Sequence, residues 1–414
     1  MRLRDGRGYE VSGATPGALD AFERALDLHL AWRTGVEEQL ESALAQAPAF
    51  TMANILDAYL TLSSRDPIRL QRAQAAHARA VQLPATAQER LHVTAIAAVL
   101  ADDFSALRDV MNRLIEEYPR DVLALQIGHA FDYLTGDAEA MAGRVSSVLS
   151  AWSQDLPGYH AVLAMQAFSL VESGRYTSGI DHGLFALELE PRNVRAHHAL
   201  AHVYEMTGNA AAGIQWMRSR QAFWSTGTGA ATHCWWHWAL YHLTLGEVRR
   251  ALEIYDRSIR RGRSPEIADL IDASALLWRI ELVGGNVGRR WRELSEAWAS
   301  HSEDGYCTFN DLHEMLAHAG SRDWHSAGRL EAMMRSRQAR STRYGQTTRL
   351  VGVPAGRAII AFGRGEYFRA AQLLRELPPV AWRLGGSQAQ RNLLDFTLNE
   401  ALARSVRSTR AGAA

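Results

Sequence analysis

Turn residues recur along this chain at nearly constant intervals, and this rhythm restricts the possible folds more than any other feature. Seven glycines follow one another at spacings of 38, 34, 38, 38, 36 and 45 residues: Gly136, Gly174, Gly208, Gly246, Gly284, Gly320 and Gly365. Between these turns almost no segment alternates apolar and polar residues, so we predict no β-sheet. The spacing is typical of a helix–turn–helix unit of about 34 residues with small insertions.

Three segments, 88–121, 160–193 and 232–265, carry small, aromatic and turn residues at similar offsets. In the second of them Ala167 is eighth, Gly174 is fifteenth and Pro191 would end the second helix. Such hairpins bury their apolar faces on their neighbours. We therefore predict an all-α, tetratricopeptide-type α-solenoid over residues 18–402. Residues 1–17 would form an N-terminal extension, and the polar residues 403–414 a frayed tail.

The charged residues exclude several classes of function. The chain has 45 basic and 45 acidic side chains, and this balance argues against a nucleic acid or an anionic membrane as partner. Every basic residue is Arg, because the sequence contains no Lys. A Schiff-base lysine, a pyridoxal-phosphate site and a phosphate-binding P-loop are therefore excluded, and no lysine-dependent cofactor is expected.

Cysteine content and hydropathy bear on the compartment. Two cysteines, Cys234 and Cys307, are too few for a disulfide framework and fit a reducing environment. The N-terminus lacks the apolar run of a secretory signal, and no apolar stretch reaches the ~20 residues that span a bilayer. We expect a soluble cytoplasmic protein.

Histidines are concentrated between residues 197 and 242. In a helix, side chains four residues apart lie on one face, so His198 and His202 form one pair, and His233 and His237 another. Glu205 shares the stripe of the first pair. If the two helices are neighbours, four imidazoles and a carboxylate converge.

The repeat register predicts where these side chains point. Counting along the first helix of each hairpin places them on its inner, concave face. The same count brings Trp236, Asn310 and Asp311 to that face, where they would contact a ligand. Arg391, near the end of the chain, could clamp a carboxylate or bond a helix terminus.

Four interpretations of the histidine cluster stay open. His198, His202, His233 and His237 could bind a divalent metal ion such as Zn²⁺ or Fe²⁺. With Glu205 they could instead form an acid/base cluster over a substrate stacked on Trp236. They could grip a ligand without chemistry, or simply hydrogen-bond one another.

Several motifs resemble the tetratricopeptide repeat protein 38 family, over about residues 18–402. They are Pro157-Gly158-Tyr159-His160, His198-x-x-x-His202-x-x-Glu205-Met206, Trp235-Trp236-His237, Asp269-Leu270-Ile271-Asp272 with Leu276-Leu277-Trp278-Arg279, Phe309-Asn310-Asp311-x-His313, and Gly385-Gly386-Ser387-Gln388-x-Gln390-Arg391. The resemblance implies a tetratricopeptide solenoid and supplies no reaction. The sequence departs from the family at Cys234, where an Asn is expected.

Two classes of function follow. Concentrated His and Trp favour a focal pocket for a small molecule, with acid/base or metal-assisted catalysis as an open option. The alternative is a scaffold that holds a peptide or a partner protein in its groove.

Overall fold

The computed structural model describes residues 3–62, 67–301 and 307–412. The helices of the first half are α1 (Pro16–Leu30), α2 (Val36–Gln46), α3 (Thr51–Leu62), α4 (Pro67–Gln82), α5 (Ala87–Leu100), α6 (Phe104–Glu117), α7 (Val122–Leu134), α8 (Ala138–Ser146), α9 (Tyr159–Glu172), α10 (Tyr176–Leu189), α11 (Val194–Met206) and α12 (Ala210–Ser219). A short 3-10 helix, Leu149–Ala151, follows α8.

The second half continues in the same way. Its helices are α13 (Gln221–Trp224), α14 (Ala231–Thr244), α15 (Val248–Ile254), α16 (Ile267–Leu282), α17 (Arg290–Trp298), α18 (Thr308–Ser321), α19 (Trp324–Arg337), α20 (Arg343–Thr347), α21 (Val353–Gly363), α22 (Tyr367–Leu374), α23 (Gln388–Arg391) and α24 (Leu393–Gly412). Two π-helical turns, Tyr255–Ile259 and Thr348–Gly352, and a 3-10 helix, Ala381–Leu384, complete the list.

The helices form tandem hairpins of the tetratricopeptide type. In the first half, α9 packs against its partner α10 and also against α11, the first helix of the next hairpin. In the second half, α16 packs against α18, and α18 against α21, in the same manner. This is how stacked helical repeats bury the apolar face of each hairpin. The predicted all-α, helical-repeat class is confirmed.

The chain contains two compact units. The first comprises Met1–Tyr133, Asp137–Thr207 and Trp216–Cys234, and the second Leu134–Gly136, Gly208–Gln215 and Trp235–Ala414. One buried cluster of the first joins Phe168 and Ala199. The core of the second contains several fully buried large side chains, among them Trp236, Trp278, Trp291 and Trp298.

A small sheet corrects the prediction that the chain has none. Strands β1 (Leu3–Arg4) and β2 (Glu10–Val11) pair antiparallel, with Leu3 opposite Val11. Two-residue strands are too short to show alternation in a sequence. Within the regions predicted as extension and tail, α1 begins at Pro16, and α24 continues to Gly412, while 413–414 lie outside the described residues.

The predicted turns are present at six of the seven glycines. Gly174 and Gly246, for example, end their helices with φ of 76° and 77°, a conformation that glycine adopts at low cost. Gly320 is the exception, because it lies inside α18 and the turn falls on Arg322, with φ of 61°. At Gly320 a Cβ would stand 2.3 Å from Cε2 of Trp291, so this glycine permits close packing.

The Gly320→Ala variant is expected to lose about 1–3 kcal/mol of unfolding free energy, because the added methyl group overpacks the Trp291 ring. The matched control is Gly328→Ala in α19, where no atom lies within 4 Å of the added Cβ. Helix propensity predicts that this control gains up to about 1 kcal/mol. Urea unfolding of both variants measures the difference. Equal stabilities would contradict the packing argument.

Candidate functional site

Helix α11 carries the first pair of imidazoles. Asn193 caps the helix, since its side-chain oxygen accepts a hydrogen bond from the Ala196 backbone N–H. His198 and His202 follow within the helix, and both are buried. The cap fixes the beginning of α11 and therefore the register in which the two rings project.

Helix α14 carries the second pair, and the loop before it is tied to the turn after α1. The Arg33 guanidinium donates to the carbonyl oxygens of Phe223 and Thr226 at 3.1 and 2.8 Å. The Thr228 hydroxyl donates to the carbonyl oxygen of Trp32. These bonds place the first turn of α14, with the half-buried His233, beside the end of α1.

The predicted convergence of the imidazoles is present in the structure. Nε2 of His198 lies 2.9 Å from Nε2 of His202 and 3.0 Å from Nε2 of His233. His237 follows one turn after His233 on α14. The Nε2 atoms of His202 and His233 therefore both lie within hydrogen-bonding distance of one atom, Nε2 of His198.

Aromatic and acidic side chains surround the rings. Phe168 on α9 stacks on His198 at a centroid distance of 5.2 Å and meets His202 edge-on at 5.2 Å. Trp32 lies 5.3 Å from the His198 ring. The buried Glu172 carboxylate approaches Nδ1 of His202 at 3.2 Å. Aromatic rings therefore surround the imidazoles of His198 and His202, and one carboxylate lies next to His202.

The surroundings of His198 lower the pKa of its ring. Burial, the neighbouring imidazoles and Arg195 hold the pKa of His198 well below its usual range. The Arg195 guanidinium stacks over Trp32 at 4.4 Å and donates to the carbonyl oxygens of Leu30 and His29 at 2.9 and 3.3 Å. Burial lowers its own pKa to about 9. The surroundings of His198 therefore disfavour the charged form of its ring.

Two of the predicted site residues occupy other environments. Trp236 is completely buried in the core of the second unit, where Arg279 lies 5.5 Å from its ring centroid. Its ring therefore packs within the protein and presents no open face to a ligand, contrary to the prediction. Glu205 is half-buried on α11, and the carboxylate that lies beside His202 is that of Glu172.

The other three residues predicted to contact a ligand, Asn310, Asp311 and Arg391, belong to the second unit and lie on two separate segments of it. Asn310 is half-buried on α18. Asp311 is buried and accepts a hydrogen bond of 2.7 Å from the Tyr344 hydroxyl, and burial raises its pKa to about 7. The Arg391 guanidinium donates a hydrogen bond to the carbonyl oxygen of Gly386. It therefore bonds nearby backbone, which is the structural role considered for it beside carboxylate binding.

Sequence reasoning missed Glu172. It is the last residue of α9, and its carboxylate takes the position beside His202 that was expected for Glu205. A signal was present, because Glu172 is the thirteenth residue of the 160–193 repeat and that place faces the same side as His202. The carboxylate comes from the preceding hairpin instead of the same helix.

Comparison with known proteins finds distant structural similarity. No protein-family profile matches the chain. Yeast Tom70 is similar at 9% identity and a TM-score of 0.47, over 94% of this chain and 87% of that one. A human IFIT1 dimer with m7Gppp-AAAA has 14% identity and a TM-score of 0.44, over 95% and 94% of the two chains. The P58(IPK) TPR domain has 14% identity and a TM-score of 0.24, over 94% and 89%.

The hairpins define the class: this is a helical-repeat protein of the tetratricopeptide type. Within its first unit the imidazoles of His198 and His202 on α11 meet that of His233 on α14. None of the described helices is long and apolar enough to cross a bilayer.

Proposed function

We propose that the protein is an interaction scaffold that holds an extended segment of a partner protein. The observation that carries this proposal is a solvent-open cavity of about 490 Å³ in the first unit. Leu28 and Pro157 form part of its apolar lining, while Glu23, Arg24 and Gln39 form polar parts. A cavity of this kind accepts an apolar side chain of a bound peptide and hydrogen-bonds the flanking backbone.

The polar lining is held in place by internal bonds. Arg7 donates to Glu23 at 2.8 and 3.0 Å, and Arg24 donates to Gln39 at 2.8 Å. Because these side chains are already ordered, a peptide that binds there loses less conformational entropy in forming its contacts. Tandem helical hairpins are well suited to this role, since they present long side-chain surfaces.

Peptides selected from a displayed library against the whole protein test the proposal. Leu28→Asp places a charge on the apolar lining, and the selected peptides are expected to bind this variant at least about tenfold more weakly. The matched control is Leu184→Asp on α10, at a leucine that is 40% exposed. Peptides that bind both variants as well as the parent, or a library that yields no binder, would contradict a peptide site in this cavity.

The small-molecule interpretation of the histidine cluster is less well supported. Nε2–Nε2 distances of 2.9 and 3.0 Å leave no space for an organic ligand between the rings of His198, His202 and His233. A molecule there would have to separate α11 from α14. The same distances suit a single ion, which we consider below.

We infer the finer relationship, to the tetratricopeptide repeat protein 38 family, from sequence motifs alone. His198-x-x-x-His202 and Trp235-Trp236-His237 are its most specific elements. If this relationship is right, the imidazole group is part of what distinguishes the family from other tetratricopeptide scaffolds.

A further inference from the structure

We propose that His198, His202 and His233, which all belong to the first unit, bind one divalent transition-metal ion. The proposal depends on the imidazole geometry, so it stands or falls independently of peptide binding in the cavity near Leu28.

The hydrogen-bonding capacity of the nitrogens is the first argument. A neutral imidazole nitrogen offers either one N–H or one lone pair. Nε2 of His198 meets two other Nε2 atoms, of His202 and His233, at hydrogen-bonding distance. A single proton or lone pair cannot pair well with both of them. A cation at the centre would accept all three lone pairs at once.

The distances are close to those of a known coordination geometry. Zinc binds imidazole nitrogen at about 2.0–2.1 Å, so neighbouring nitrogens of a tetrahedral site lie roughly 3.3 Å apart. The observed 2.9 and 3.0 Å need only small ring rotations to reach that value. The helices supply the arrangement, because α11 provides two imidazoles spaced four residues apart on one face and the first turn of α14 provides the third.

Glu172 supplies the carboxylate that commonly supports a metal-bound histidine. Its Oε1 lies 3.2 Å from Nδ1 of His202, and both side chains are buried. A proton on Nδ1 shared with this carboxylate leaves Nε2 as the lone-pair nitrogen that faces the cluster. Phe168, packed against the rings of His198 and His202, limits their rotation.

The charges are compatible with a dication. Imidazole is an uncharged ligand, so three such rings add no positive charge that would repel the ion. Arg195 opposes the ion, but its guanidinium is engaged by carbonyl oxygens at the end of α1, and Glu172 contributes a compensating negative charge. A set of neutral nitrogen ligands favours Zn²⁺, Cu²⁺, Ni²⁺ or Fe²⁺ over Mg²⁺ and Ca²⁺.

Access to the centre comes from one side. His198 and His202 are buried, whereas His233 is half-buried at the first turn of α14. An ion can therefore enter at His233 without unfolding of the repeat. We expect the metal to exchange with solvent on a laboratory timescale, and a chelator to remove it from the folded protein.

Metal titration of the untagged full-length chain tests the proposal. The protein is treated with chelator, dialysed and titrated with Zn²⁺ and with Co²⁺, whose visible spectrum reports tetrahedral coordination. The parent is expected to bind one ion per chain and to show that spectrum. His233→Gln should bind at least about 100-fold more weakly. The control His182→Gln, at a half-buried histidine on α10 that hydrogen-bonds the Ser178 carbonyl oxygen, should match the parent.

Folding and binding are separated by a second measurement. Circular dichroism of the chelated proteins should show equal helix content, and zinc should raise the Tm of the parent and of His182→Gln but not that of His233→Gln. His198→Asn provides a second ligand variant with the same expected loss. Substoichiometric binding by the parent, or equal binding by His233→Gln, would overturn the proposal and leave the rings as a hydrogen-bonded cluster.

Discussion

The Glu172→Gln variant is expected to bind zinc about 10- to 100-fold more weakly than the parent, which is the loss typical of removing a supporting carboxylate. Glutamine keeps the size and hydrogen-bonding capacity of the side chain but removes its charge. Nδ1 of His202, 3.2 Å from Oε1, then faces a neutral amide oxygen in place of the charged carboxylate that makes the ring a stronger ligand. Competition with a coloured chelator measures the affinity.

Glu205→Gln is the matched control for this prediction. Glu205 lies three residues after His202 on α11, and sequence spacing alone pointed to it instead of Glu172. Because the carboxylate beside Nδ1 of His202 is that of Glu172, we expect the zinc affinity of Glu205→Gln to differ from that of the parent by less than about threefold. A large loss for Glu205→Gln together with none for Glu172→Gln would show that the wrong carboxylate has been assigned.

The Asp311→Asn variant is expected to change the pH dependence of stability. Burial raises the pKa of Asp311 from 3.8 to about 7, so the folded state favours the protonated carboxyl group. Between pH 4 and pH 7 the unfolded chain releases this proton more readily, and the parent loses stability as the pH rises. The parent loses up to about 4 kcal/mol of unfolding free energy over this range. The variant should not show this loss, because Asn does not ionise.

Neighbouring groups modify this effect without reversing it. The Tyr344 hydroxyl and Arg337 lower the pKa of Asp311, while Glu314 raises it. Urea unfolding from pH 4 to pH 8 should show the unfolding free energy of Asp311→Asn rising relative to that of the parent. Other titrating groups are common to both proteins, so their effects cancel in this difference. Hydrogen bonds from Ser326 lower the pKa of Asp323, so this carboxylate titrates below pH 4. Asp323→Asn should therefore be less stable than the parent by a nearly constant amount from pH 4 to pH 8. A constant difference between Asp311→Asn and the parent would contradict a raised pKa.

Much of the fold could be predicted from the sequence because the turns have a strong backbone requirement. Gly174 and Gly246 adopt positive φ at helix ends, and such positions recur once per hairpin. Gly320 misled the prediction, because its lack of a side chain serves contact with Trp291 and the positive φ falls on Arg322. Sequence alone does not distinguish these two uses of glycine.

The site was predictable only in part. Helical periodicity and repeat register were sufficient to bring His198, His202 and His233 together. The same register placed Trp236 on an open surface, but the ring is buried, because register fixes the direction of a side chain and not what packs over it. Glu172 was missed because contacts between successive hairpins depend on their stacking, which short motifs do not encode.

Anomalous diffraction at the zinc absorption edge, from crystals grown with zinc after chelation, tests the central claim most directly. We predict a single strong peak about 2.0–2.1 Å from Nε2 of His198, His202 and His233. The absence of a peak at this position, with the three imidazoles still in mutual contact, would contradict a metal centre in this protein.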